Sequence, residues 1–216
     1  EHGMIFNGEM VRAILDGRKT QTRRPIKWKQ TRFTEIGERE DGSKWPWSED
    51  AEHACDFWHP CPFGAVGDRI WVRETFTGHY LDDDQIQDIK DGRDKASSLC
   101  EYRADYPDGY QAADGWTPSI HMPRWASRIL LEITDVRVER LNAISEEDAE
   151  AEGIDMEALY DSQDCYDCIA DHNMTGRPTV TGAFKYLWES IYGEEGWKSN
   201  PWVWVIEFKR VEGGEA

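Results

Sequence analysis

A short stretch near the start of the chain concentrates positive charge in a protein that is otherwise strongly acidic. Residues 13–25 read AILDGRKTQTRRP, and the segment 10–32 holds eight Lys or Arg residues against one acid, Asp16, whereas the whole chain has a formal net charge of −18. Because such cationic side chains bind phosphates, the pattern predicts that a negatively charged group approaches this segment. A solvated, charged loop is the alternative interpretation.

A second set of residues has side chains that could bind zinc. It consists of His53, Cys55, His59 and Cys61 within HACDFWHPC, and of Cys165 and Cys168 at CxxC spacing. Together they could form a tetrahedral zinc site, but their spacings are irregular, so buried or uninvolved side chains are the alternative. A redox role for the CxxC pair is not favoured, because no βαβ pattern surrounds it. No other cofactor is predicted.

The composition is that of a globular protein with a sizeable core. Of 216 residues, 39% are hydrophobic and eleven are tryptophan. No apolar run approaches the ~20 residues of a membrane span. The acidic balance argues against a protein that coats long nucleic acid, but it leaves room for a local phosphate site. Five cysteines and no signal-peptide pattern predict reduced thiols in a cytoplasm, and residues 1–3 are interpreted as a cloning remnant.

The candidate residues need elements that hold them in place, and the hydrophobic pattern predicts an α+β fold. Asn7 is predicted to cap a helix that ends at Gly17, followed by an extended segment over residues 20–25. Ser145 is predicted to cap a second helix that stops at Gly153. The other predicted elements are strands at 66–76, 128–141 and 201–211 and a helix at 183–193.

Three polar segments separate these elements, and they are predicted to be insertions into one domain that spans residues 4–216. They cover about residues 33–65, 77–118 and 155–182. Residues 33–62 are rich in Gly, Pro and Trp without a helical period, so we interpret them as a long loop packed by aromatic side chains. The remaining pattern fits one small β-sheet or barrel with a few helices.

Four sequence motifs, taken in their order along the chain, resemble those of a known protein family. ILDGRKTQTRR, GDRIWV, SEEDAEAEG and VIEFKRV together resemble the ASCH domain of the PUA-like superfamily, in the version carried by phages and prophages. The resemblance implies a β-barrel with flanking helices and a cleft beside the first helix. It also implies binding of RNA or modified nucleosides in the cytoplasm of a phage-infected or lysogenic bacterium.

One bacterial branch of this family is similar to the chain and acts as an N(4)-acetylcytidine amidohydrolase. The resemblance places its catalytic lysine, threonine and glutamate on Lys19, Thr22 and Glu152, with Glu150 as the alternative for the glutamate. Arg24 matches the arginine of the motif. The residues expected to bind substrate are Thr20, Arg23, Arg24, Lys27, Trp71 and His121.

The expected chemistry is hydrolysis of an amide. Thr22 could supply the attacking oxygen or position a water, and Lys19 could accept the proton only as a neutral amine, with its pKa lowered from ~10.4 to ~7–8. Alternatively, a charged Lys19 holds the oxyanion while Glu152 takes the proton. Residues three apart on a strand face opposite sides, so Lys19 is expected to lie on the turn after Gly17.

Two functions of other classes remain open. In a non-catalytic RNA-binding module, Arg23, Arg24 and Lys27 would hold phosphates, and RNA binding would weaken with salt. In an acidic interaction protein, the negative surface would mimic nucleic acid and block a host protein. Trp28 and Trp71 are candidates for lining the cleft, whereas Trp202 and Trp204 fit the core.

Overall fold

The structure is a computed structural model that describes residues 1–27, 35–50, 55–78, 80–161 and 179–211. The chain divides into two compact units. The first unit comprises residues 1–17, 66–134 and 208–216, and the second comprises residues 18–65 and 135–207. Both contain helices and strands, so the predicted α+β class is confirmed.

The described residues form the following elements. The strands are β1 (His2–Ile5), β2 (Gln21–Pro25), β3 (Glu35–Glu38), β4 (Lys44–Asp50), β5 (Cys55–Trp58), β6 (Arg69–Arg73), β7 (Phe76–Thr77), β8 (Glu101–Tyr102), β9 (Leu130–Arg140) and β10 (Trp202–Arg210). The α-helices are α1 (Gly8–Leu15), α2 (Asp83–Lys90), α3 (Ala96–Leu99), α4 (Glu146–Ala151), α5 (Met156–Asp161), α6 (Val180–Tyr192) and α7 (Glu194–Lys198). Among these helices, none is long and apolar enough to cross a membrane.

The first unit is built on β1, β6 and β9. β1 pairs in parallel with β6, and β6 pairs antiparallel with β9. Helix α1 begins where the Asn7 side chain accepts a hydrogen bond from the Met10 N–H at 2.8 Å, as the sequence predicts. Residues 2 and 3, interpreted above as a cloning remnant, lie in β1 opposite residues 70 and 71. The segment 77–118, a predicted insertion, contains α2, α3 and β8.

The second unit packs helices against β2 and β10. β10 pairs antiparallel with β2, so that Thr22 lies opposite Ile206. Helix α4 begins where Ser145 Oγ accepts a hydrogen bond from the Asp148 N–H at 3.1 Å, as predicted. Apolar side chains of α4, α6 and β10 share one buried cluster that includes Ala149, Phe184 and Val205. This packing fixes α4 over the strands, and α4 carries the acidic half of the site described below.

The prediction of a long loop over residues 33–62 is wrong, because β3, β4 and β5 form an antiparallel sheet within it. Trp47 lies opposite Trp58 in the register, and Trp45 lies two residues before Trp47 on the same face. Trp45 also contacts Trp204 edge-on, with ring centroids 5.0 Å apart. Aromatic residues at cross-strand positions favour a sheet here despite the polar residues around them.

The predicted PUA-like β-barrel is also wrong, because none of the described sheets is closed. In the first unit the strand order is β1-β6-β9-β10, and in the second it is β9-β10-β2. A barrel requires its two edge strands to pair, and in the described residues β1 pairs only with β6 and β2 only with β10. The strands β3 to β5 pair with one another and form a separate sheet.

Candidate functional site

The backbone after α1 brings the basic stretch beside the end of α4. Gly17 has φ +78°, a conformation that favours glycine, and it ends the helix as predicted. The next residues form an isolated antiparallel bridge in which Lys19 lies opposite Glu152, and the Thr20 N–H donates to the Ala151 carbonyl at 2.8 Å. The residues of this bridge, which are far apart in sequence, therefore run side by side.

Lys19 and Glu152 form a buried pair. Lys19 Nζ donates to Glu152 Oε2 at 2.7 Å and to the Glu152 carbonyl oxygen at 2.8 Å. The exposed fraction of the two side chains is 0% and 2%. The glutamate beside Lys19 is therefore Glu152 and not Glu150, which is exposed. The two acceptors match the two N–H bonds of a neutral amine, which would leave its lone pair free.

The surroundings of Lys19 lower its pKa. Burial is the largest cause, because the charged ammonium loses its water. The carboxylate of Glu152 opposes this shift, and the charges of Arg24 and Arg23 reinforce it. The pKa of Lys19 is therefore lowered, as a lysine requires in order to act as a base near neutral pH.

Arg23 is buried and its guanidinium contacts three carboxylates. Its Nη1 donates to Glu152 Oε1 at 3.3 Å, while Nη2 donates to Asp148 Oδ2 at 2.8 Å and to Glu139 Oε2 at 3.1 Å. No part of its side chain is exposed. Arg23 therefore neutralises carboxylates within the protein, and it has no free face to offer a phosphate.

Sequence reasoning missed the partly exposed rim of the site. Arg137 on β9 donates to Glu139 Oε1 at 2.7 Å and to Asp148 Oδ1 at 3.1 Å, and it also pairs with Glu207 on β10. Its Nη2 donates to Gln21 Oε1 at 3.3 Å. The sequence does contain a signal for this rim, because Arg137 and Glu139 are two residues apart and so share one face of β9.

The site as a whole carries more carboxylates than cations. Its cations are Lys19, Arg23 and Arg137, and its carboxylates are Asp135, Glu139, Asp148, Glu152 and Glu207. The carboxylates on the rim are partly exposed, whereas Arg23 and Lys19 are not. An acid-rich rim attracts hydrogen-bond donors and repels phosphates.

Thr22 does not join the buried pair. Lys19, Gln21 and Arg23 are every second residue of this extended segment, so their side chains share one face. All three contact residues 148–152. Since successive side chains of a strand face opposite sides, Thr22 faces away from Lys19 and Glu152. Lys19 lies in the bridge, one residue before Thr20, and the short turn ahead of it does not bring Thr22 to the same side.

The other predicted substrate-binding residues are distributed over both units. Thr20 and Lys27 are exposed and Arg24 is half-buried, and all three belong to the second unit. Trp71 and His121 belong to the first unit. Trp71 is half-buried with the Arg73 guanidinium 5.4 Å from its ring centroid, and His121 is exposed. Trp28 lies outside the described residues.

The zinc hypothesis concerns residues that are described only in part. His53, Cys165, Cys168 and the side chain of Cys55 lie outside the described residues. His59 Nε2 forms a hydrogen bond with Ser48 Oγ at 2.9 Å, and burial raises the pKa of the Cys61 thiol to about 11. In the part of the chain that the structure describes, no three His, Cys, Asp or Glu side chains come together as a metal-binding group.

Comparison of the chain with protein-family models, with curated proteins and with solved structures finds no match.

Proposed function

We propose that the protein is an ASCH-type nucleoside-binding protein of a phage-infected bacterial cytoplasm, and that it hydrolyses the acetyl amide of N(4)-acetylcytidine. One observation carries the proposal. Lys19 and Glu152, the two charged residues that the family resemblance pairs, lie 133 positions apart in the chain, and their side chains are 2.7 Å apart. This contact between the two residues that the resemblance assigns to one site supports the proposal.

The buried pair supports a hydrolysis in which water is the nucleophile. Neutral Lys19 accepts a proton from water as the water oxygen attacks the acetyl carbonyl carbon. The C–N bond then breaks, Lys19 passes the proton to the departing N4 nitrogen, and the products are cytidine and acetic acid, which releases its remaining proton to the solvent as it becomes acetate. Glu152 holds the amine in place through its carboxylate and its carbonyl oxygen. Because Thr22 faces away, a water supplies the oxygen in this proposal.

The charges on the rim support a nucleoside as the substrate, in preference to a phosphate chain. Carboxylates accept hydrogen bonds from the exocyclic nitrogen of cytosine and from ribose hydroxyls. Glu139 and Asp148 are partly exposed, and each already accepts hydrogen bonds from Arg23 and Arg137, so only their remaining lone pairs can accept bonds from a nucleoside. The Arg23 guanidinium is already bound to three carboxylates, so it does not support phosphate binding.

A non-catalytic binding module is the second candidate, and the burial of Lys19 favours it. A lysine whose side chain is 0% exposed needs a local opening before a substrate can reach it. In that case the pair would only stabilise the second unit, and the rim alone would bind the nucleoside or an RNA element. The host-protein hypothesis stays a prediction.

Incubation of the protein with N(4)-acetylcytidine, followed by chromatography, tests these alternatives. Cytidine and acetate formed in equal amounts would support the hydrolase. Saturable binding of N(4)-acetylcytidine without cytidine would support the binding module. Neither binding nor turnover would contradict both. Lys90→Ala is the control, because Lys90 is an exposed lysine of α2 in the first unit and belongs to no part of the site, so turnover should stay unchanged.

A further inference from the structure

A cavity in the first unit has features of a binding site and shares no residue with the site in the second unit. Its volume is about 260 Å³. Thr77 and Glu101 form one wall as a register pair of β7 and β8, and Tyr80, Tyr110 and Asp114 complete it. The volume is below the ~300–1,000 Å³ of sites for drug-sized ligands, so the cavity suits a small chemical group.

The loop that carries Tyr110 and Asp114 is held in a fixed conformation. Trp116 Nε1 donates to the Tyr110 carbonyl oxygen at 3.2 Å. Just beyond it, the backbone of Thr117 pairs with that of Phe76, with hydrogen bonds of 2.8 and 3.2 Å. A ligand would therefore meet a wall that is already formed, and it would have little loop entropy to overcome.

Aromatic rings line this cavity, and further aromatic rings pack against them outside it. Tyr110 stacks on Tyr106 with ring centroids 4.3 Å apart and an interplanar angle of 8°, and Trp116 packs against both rings. Tyr80 and Tyr110 keep 53% and 40% of their surface exposed. The faces of aromatic rings carry partial negative charge and attract cations.

Two carboxylates line the same cavity, and no Lys or Arg of the described ranges forms an ion pair with Glu101 or Asp114. Glu101 forms a side-chain hydrogen bond with Tyr106. Several other acids of this unit do form ion pairs, such as Asp105, which contacts Arg128 at 2.7 Å. Burial and then the charge of Glu101 raise the pKa of the Tyr106 phenol, which is consistent with a negative potential at the cavity.

We propose that this cavity binds an alkylammonium group, supplied by a free polyamine or by a lysine side chain of a peptide. The two carboxylates neutralise the ammonium and accept its N–H bonds, while the tyrosine rings contact its methylene groups and its charge. This inference does not depend on the function proposed for the second unit.

Calorimetric titration of the full chain with spermidine, and separately with a tetralysine peptide, tests the proposal. We expect saturable binding of at least one of them, weakened about tenfold by Asp114→Asn or Glu101→Gln. Tyr110→Leu should weaken binding about fivefold, whereas Tyr110→Phe keeps the ring and should bind like the wild type. Asp84→Asn is the matched control, because it removes the same charge from an exposed position outside the cavity.

The titrations distinguish the two sources of the ammonium group. Binding of spermidine that is sensitive to Asp114 supports a free amine as the ligand, and binding of tetralysine alone supports a lysine side chain. Two results would overturn the proposal. One is the absence of saturable binding to either cation. The other is an equal loss of binding in Asp84→Asn and Asp114→Asn, which would show attraction to the overall negative charge only.

Discussion

Arg23 Nη2 lies 2.8 Å from Asp148 Oδ2, although 125 positions separate the two residues in the chain. The contact joins β2 to α4, and no part of the Arg23 side chain is exposed. The same guanidinium also binds Glu139 and Glu152. The arginine therefore compensates the buried acidic charge on which the second unit depends.

Replacing Arg23 should destabilise the protein strongly. Arg23→Met leaves Glu152 buried beside Lys19 alone and removes one of the two arginine partners of Asp148, at a cost of about 3–5 kcal/mol in the free energy of unfolding. Urea denaturation followed by circular dichroism measures this loss. Lys27→Met, at an exposed position of the same stretch, should change stability by less than about 0.5 kcal/mol. Equal effects of the two changes would contradict this account of Arg23.

Acid should weaken the second unit through Asp148. Burial acts to raise the pKa of Asp148, but the hydrogen bonds and charges of Arg23 and Arg137 outweigh it and lower the pKa. A lowered pKa in the folded state contributes stability that is complete above the unfolded value of ~3.9 and is lost as the pH falls toward the folded value. Asp148→Asn should therefore be less stable than wild type at pH 6, and its stability should fall less steeply below pH ~4. Parallel pH profiles of unfolding for the two proteins would refute the assignment.

The proposed hydrolysis should depend on pH through Lys19. Because burial lowers the pKa of Lys19, the neutral amine forms below its ordinary value of ~10.4. The rate of cytidine release should rise with pH as the amine loses its proton and level off at a pH below ~10.4. A rate that falls as the pH rises would favour the alternative in which charged Lys19 holds the oxyanion.

The first unit should be sensitive to the geometry of Arg128. Its guanidinium donates two hydrogen bonds to Glu74, at 2.9 and 3.0 Å, and two to Asp105, and it stacks 4.0 Å above the Tyr102 ring. Arg128→Lys keeps the charge but cannot form this planar arrangement, so it should cost about 2–4 kcal/mol. Arg93→Lys at an exposed ion pair should cost less than about 1 kcal/mol, and a similar loss in both variants would argue against the prediction.

Local signals in the sequence were sufficient for much of the fold. Asn7 and Ser145 cap their helices through hydrogen bonds to residues three positions ahead, so both caps depend only on neighbouring residues. Gly17 and Gly153 adopt the positive φ that helix ends favour. The strands β9 and β10 followed from their long apolar alternation.

Other parts of the structure depend on pairings that no short segment encodes. β3 to β5 pair with one another, with Trp47 opposite Trp58 in the register, in a region whose composition resembles a loop. That the sheet stays open likewise depends on which strands pair with which. Within the site, the contact of Lys19 with Glu152 was expected from the family resemblance, whereas the contacts of Arg137 required the register of β9 and β10.

The most direct test compares the rate of cytidine release from N(4)-acetylcytidine by wild type, Glu152→Gln and Glu150→Gln. Each variant lacks one glutamate carboxylate, and the two positions are two residues apart in the chain. Only Glu152 contacts Lys19. We expect an active wild type, an active Glu150→Gln protein and a loss of at least about 100-fold in folded Glu152→Gln. A folded wild type that releases no cytidine, or a Glu152→Gln protein as active as Glu150→Gln, would contradict this expectation.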